Sequence, residues 1–179
     1  PESLNMSLIA VLAATLAMTN PASPTTVIQA TATPSTQTAP AGLTIEAMTA
    51  YLTAQGLTVG AVEQDGDRRF APVTDGDVRW VAFFQSCEGE VCSDLQFSFG
   101  FTNAGVTLDG VNRWNRERRF LKAFYEPATP PSTAPAAAVQ YDVILNGVLG
   151  VEQLADPLAI WRGSIPQFPG TVAGAPPAP

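Results

Sequence analysis

Histidine is absent from this 179-residue chain. That removes the commonest metal ligand and the commonest general base near neutral pH. Cysteine occurs only twice, at Cys87 and Cys92, too few to make a structural zinc site by themselves. There is no Gly-rich phosphate loop and no nucleophile elbow. Ser86 and Ser93 flank the cysteines but have no imidazole to activate them. Cationic charge is scarce as well: nine Lys and Arg stand against sixteen Asp and Glu, a formal charge of −7. A protein that neutralises phosphates needs the opposite balance, so the composition argues against nucleic-acid binding. The pairs Asp65/Asp67 and Asp75/Asp77 lack the longer run of oxygen ligands of a calcium loop and read as turn chemistry. The chain therefore offers no catalytic residue, metal site or cofactor site to nominate, although carboxylates could still perform acid–base chemistry.

Charge is also missing locally. Residues 1–43 carry one charged residue, Glu2, amid Ala, Thr, Ser and Pro, while every Lys and Arg lies further on. Such a break in composition predicts an unstructured segment before a folded one. Ser7–Met18, SLIAVLAATLAM, is an uncharged apolar run of twelve residues. A bilayer span needs about 20 residues, whereas this length suits the hydrophobic region of a signal peptide. Small residues in NPAS and at Ala30-Thr31-Ala32 offer processing sites, which puts the expected signal within residues 1–32. No Lys or Arg precedes the run, and a short buried helix is the competing reading. The expectation is a periplasmic or secreted protein with no stable membrane span after processing. PGTVAGAPPAP, after Phe168, reads as an unpacked tail over 169–179. The folded domain is expected at 44–168.

Within that domain, Thr44 is a plausible helix cap ahead of IEAMTAYLTAQ, where Ile45, Met48 and Leu52 share helical spacing and Gly56 ends the helix. LTVGAVEQ reads as an alternating strand, returning through Asp65-Gly66-Asp67 into RRFAPV. Asp75-Gly76-Asp77 turns again. Val78–Phe84 and Leu95–Phe101 are the strongest strand patterns, joined through QSCEGEVCSD. Four residues separate the cysteines, so a hairpin sets them face to face, within the roughly 4.4–6.8 Å Cα span of a disulfide. A cross-turn bridge is favoured over two inert reduced thiols or a redox pair, and it agrees with export. Thr107 or Asp109 opens a second helix ending near Arg118, with Val111 and Trp114 on one stripe. Phe120–Tyr125 reads as a strand, Glu126–Ala138 as a Pro-rich solvated insert, and Val139–Leu145 as the last strand. Val151, Leu154, Leu158, Trp161, Ile165 and Phe168 then form a loose helical stripe, interrupted by Pro157. The class is α+β: an antiparallel, meandering sheet packed against about three helices.

FFQSC…C…LQFSFGF, then VNRWNRERRFLKAFY, then a distal Trp161 together resemble the YbjN-domain family, labelled bacterial sensory transduction regulators. The resemblance covers nearly all of the expected domain. It implies a fold like that of type III secretion chaperones, a compact antiparallel sheet against helices, and by that analogy a homodimer. The Pro-rich insert departs from the family's short acidic turn and could cover that edge.

Arg113, Arg116, Arg118, Arg119 and Lys122 place five cations in ten residues. Most such runs are solvated faces whose Arg stems cover neighbouring elements. The candidate partner- or anion-binding residues among them are Arg113, Arg116 and Lys122. Trp114 and Trp161 read as structural anchors, and Asn115 as an amide that ties the helix end to a neighbour. The leading expectation is a non-catalytic binding or regulatory module of the bacterial envelope with a protein partner and no cofactor. The alternative is a hydrolase of anionic or sugar substrates built from Asp, Glu and Arg, which predicts a pocket holding two or more carboxylates.

Overall fold

A computed structural model describes residues 42–174. The apolar run Ser7–Met18, with the export expectation built on it, lies outside the described residues. Strand β1 (Leu43–Thr44) leads into helix α1 (Ile45–Ala54), and the Thr44 side chain accepts a hydrogen bond from the Ala47 N–H at 3.1 Å. One orphan donor of the helix start is thereby satisfied. Helix α1 buries Ile45, Met48, Tyr51 and Leu52.

The expected strand through LTVGAVEQ is two fragments, β2 (Thr58–Val59) and β3 (Glu63–Asp65), both paired with β4 (Arg68–Asp75). The break spans Gly60–Val62, where the Gly60 N–H still reaches the Pro72 carbonyl at 2.8 Å. A third and a fourth strand, β5 (Val78–Glu88) and β6 (Val91–Thr102), continue the meander. Three hairpins turn on two residues each, Gly66-Asp67, Gly76-Asp77 and Gly89-Glu90, with φ near +60° at every glycine and none at the second residue. That is the II′ pattern, whose twist matches the flanking strands. In the third hairpin Cys87 faces Cys92 in register, with Cα atoms 3.9 Å apart and sulfurs at disulfide distance.

The meander then stops. Helix α2 (Leu108–Glu117) crosses over before β7 (Lys122–Glu126), and β8 (Ala136–Ile144) returns between β6 and β7. The order is β2-β4-β5-β6-β8-β7, all neighbours antiparallel. The Pro-rich connection shrinks to 127–135. Glu126 pairs with Ala136, while Ala136–Ala138 lie along β6 and extend the last strand. Small alanines fit that central position, where Ala137 is fully buried between β6 and β7. Phe120 falls outside β7 and half of it is exposed.

The closing stripe is not one helix. A 3-10 turn (Val151–Leu154), α3 (Ala155–Ser164), a second 3-10 turn (Ile165–Gln167) and α4 (Phe168–Val172) follow one another. Pro157 sits in the first turn of α3, where an N–H has no intrahelical partner, and Pro166 marks the second 3-10 turn. Leu154, Leu158, Trp161, Ile165, Phe168 and Val172 nonetheless stay buried, spaced alternately by four and three. Residues 169–174 therefore pack against the rest of the fold, while 175–179 lie outside the described residues. Val172 is fully buried, and Ala173 bridges Val106. Pro169 is accepted there because it occupies the first turn of α4.

The helices cover one face of the sheet. Trp161 meets Trp80 and Phe97 at centroid distances of 5.7 and 5.6 Å, and Phe168 meets Phe99, Phe101 and Trp114 at 6.2, 6.0 and 4.9 Å. The alternate residues of the same strands, among them Val81, Phe83, Gln96, Ser98 and Ile144, face the other way, and none is buried among the described residues.

Candidate functional site

The cationic run of α2 and β7 is divided among different partners. Arg113 donates to the Thr171 carbonyl at 2.7 Å, pinning α4. Arg118 donates to Gln167 Oε1 at 2.6 Å and lies over the Trp114 ring. Arg119 lies over Phe120. Lys122 pairs with Asp142 across β8. Of the candidates Arg113, Arg116 and Lys122, only Arg116 is exposed with no hydrogen bond or ion pair among the described residues. Burial raises the Asp142 carboxyl, but hydrogen bonds from Lys122 and Gln96 and the Lys122 charge outweigh it and hold the group below the ordinary value.

Asn115 has a different task. Its Oδ1 accepts the Ala123 N–H at 2.8 Å and its Nδ2 donates to the Ala123 carbonyl at 3.0 Å. Both backbone groups point away from β8, so the amide occupies the place a further strand would take on β7. The opposite edge is formed by the short, exposed β2 and β3. Exposed backbone edges invite unwanted pairing, and short strands or covering groups are how proteins blunt them.

Two of the hollows among the described residues adjoin aromatic side chains of β5. The first, about 560 Å³, lies at the Cys87 end of β4 and β5 beside Arg68, Arg69, Phe83, Gln85 and Ser86. Arg68 sits over Phe83 at 4.6 Å, while Arg69 reaches the tip of the cysteine hairpin, bonding the Gly89 carbonyl at 2.7 Å and Glu90 at 3.1 Å. Ser86 there has a left-handed backbone, φ +51°. The second hollow, about 210 Å³, lies where the β4–β5 turn meets the end of α3. Trp80 and Trp161 line it, and Arg162 bonds Asp75 at 2.7 Å at its rim while also reaching the Gln55 carbonyl at 3.3 Å.

Trp114 and Trp161 are both buried, at 0 % and 1 % exposure, and Trp80 joins them at 3 %. All three indole N–H groups are buried without an acceptor, and so is Arg118 Nε. A buried donor left unpaired costs about 1–3 kcal/mol. Sequence reasoning named Trp114 and Trp161 but passed over Trp80, one aromatic among many in a strand pattern. Each hollow is lined by a single carboxylate, Asp67 in the first and Asp75 in the second. No group of three or more His, Cys, Asp or Glu that could hold a metal ion occurs among the described residues. No helix among them is long and apolar enough to cross a membrane.

In comparisons with known proteins, the family model YbjN, described as "Putative bacterial sensory transduction regulator", matches residues 44–170. No curated protein and no solved structure matches the chain.

Proposed function

The chain belongs to the YbjN family, and on that premise we propose that it is a non-catalytic regulatory module of the bacterial envelope that acts by binding another protein. The family description supports a regulatory role. The observation that carries the binding role is the asymmetry of the sheet. One face is sealed by helices, whereas the other presents Phe70, Val81, Phe83, Phe124 and Ile144 between polar groups, with Ile144 83 % exposed. Uncovered apolar side chains within a polar surround suit a protein partner better than a small substrate. Export to the periplasm or beyond agrees with the paired cysteines, because cross-strand disulfides persist in oxidising compartments. Arg116 is the remaining candidate contact from the cationic run. Homodimerisation belongs to the same reading, by a route other than β7 pairing, since Asn115 occupies that edge.

The test is affinity capture from the envelope fraction of the native host, comparing wild type with Phe83→Glu/Ile144→Glu and with Arg116→Glu. Capture of a defined partner is expected to be lost in the double variant while its circular dichroism stays unchanged. A partner retained by that variant would remove the sheet face from the interface. A free thiol at both cysteines in native protein would remove the compartment assignment.

A further inference from the structure

The uncovered face of the sheet is not uniform. Across β4 and β5 the register sets Phe70 opposite Phe83 and Pro72 opposite Val81, and the two phenyl rings meet at 5.7 Å. These side chains form one apolar strip, with Phe70, Val81 and Phe83 half-buried and Pro72 exposed. Arg68 closes one end of it, its guanidinium 4.6 Å from the centre of the Phe83 ring. Arg79 stands at the other end, opposite Thr74 and on the same face as Val81 and Phe83. Both arginines are exposed, and neither makes a hydrogen bond or ion pair among the described residues. The flanks differ from the ends. On the β6 side the strip meets the neutral Gln96 and Ser98. On the β3 side it meets Glu63, opposite Phe70, and Asp65, which faces Arg68 without reaching ion-pair distance. A complementary segment therefore carries its acids at its two ends and not along its middle.

We propose that an amphipathic helix of the partner protein lies along this strip, with a carboxylate at each end meeting Arg68 and Arg79. The inference rests on the protein-partner reading and names what that partner presents. The strip lies inside the sheet, between β3 and β6, so it offers no free strand edge. A segment docking there must satisfy its own backbone groups, which a helix does and an extended chain does not. The spacing sets the length. Thr74, opposite Arg79, is six positions along β4 from Arg68, about 20 Å of strand. A helix spans that distance in about 13 residues. Apolar contact with Phe70, Pro72, Val81 and Phe83 supplies the buried area, and the two end pairs fix the register.

The probe is a fluorescein-labelled helical peptide of about 14 residues, alanine with a leucine stripe and a glutamate at each end. Two matched peptides carry both glutamates mid-sequence, or a lysine at each end. Fluorescence anisotropy with the full chain is expected to show saturable binding of the first peptide, about tenfold tighter than of either other. Arg68→Glu/Arg79→Glu is expected to invert the order in favour of lysine ends, with unchanged circular dichroism. Should that variant misfold, Arg68→Gln/Arg79→Gln is expected to abolish the preference. Equal binding of the three peptides, no binding up to about 1 mM, or an order that survives the arginine changes would overturn the proposal. So would binding of anionic phosphatidylglycerol vesicles in place of the peptide, which would assign the strip to a lipid surface. A native partner lost by Phe83→Glu/Ile144→Glu but retained by both arginine variants would sink the helix inference and leave the partner reading intact. A partner that the Phe83→Glu/Ile144→Glu variant still captures would sink that reading itself.

Discussion

Asn115 shows how much one side chain can decide. Its amide takes both backbone groups of Ala123 and closes the outer edge of β7. Replacing it with alanine orphans those groups, and a loss of about 1–2 kcal/mol is expected in urea unfolding. The same variant bares a strand edge, so its sedimentation should become concentration-dependent where the wild type's is less so. The sequence places Asn115 near the end of the second helix, where an amide can tie that end to a neighbour. It does not reveal that the neighbour lies eight residues on, because that is fixed by where the crossover delivers β7. Asp142 gives a second residue-scale prediction. Its folded carboxyl titrates below the 3.8 of the free group. The stabilisation is therefore complete above that value and disappears as pH falls through the folded value. The Lys122 pair is half exposed, so its contribution is about 1 kcal/mol at most. Asp142→Asn should lower the urea midpoint slightly at neutral pH, and the difference from wild type should shrink as pH falls through the folded carboxyl's value.

The elements owe their positions to a few close approaches. Helix α2 lies against α4 through Gly110, where a Cβ would come 2.5 Å from the Val172 carbonyl oxygen. That contact is backbone to backbone and cannot be relieved by a rotamer change. Gly110→Val should cost about 2–3 kcal/mol in thermal or urea unfolding, the usual range for overpacking. A glycine inside a helical pattern reads only as a weak point in the sequence, because the partner segment lies some sixty residues away. The cysteine hairpin was more legible. Its spacing and turn residues predict facing strands, and the register places Cys87 opposite Cys92. Closing so short a loop constrains the unfolded chain by about 2 kcal/mol in the entropy model. Cys87→Ala/Cys92→Ala should lose about that amount, and a reducing agent should shift the wild type but leave the double variant unmoved.

For the whole molecule, the packing of the C-terminal segment is the property that composition concealed. Residues 169–174, PGTVAG, are mostly Pro, Gly and Ala, yet Val172 is fully buried and its carbonyl accepts the Thr107 N–H at 3.2 Å. Ending the chain at Phe168 would remove that burial and the Arg113 contact to Thr171, and a loss of about 3 kcal/mol is expected, read as a lower thermal midpoint with retained fold. The residue order by itself determined what depends on near neighbours. The Thr44 and Thr107 caps, the glycine turns, the alternation of β5 and β6, the buried stripe of the closing helices and the α+β class all follow from local sterics and periodicity. Only the tertiary structure decided that β8 inserts between β6 and β7, that the Arg and Lys run disperses onto separate partners, and that Trp80 and Trp161 share one hollow. Those outcomes depend on pairs of residues distant in sequence meeting across the core. Hydrophobic burial rewards many such meetings almost equally, so the choice among them rests on shape complementarity that no short window of sequence contains.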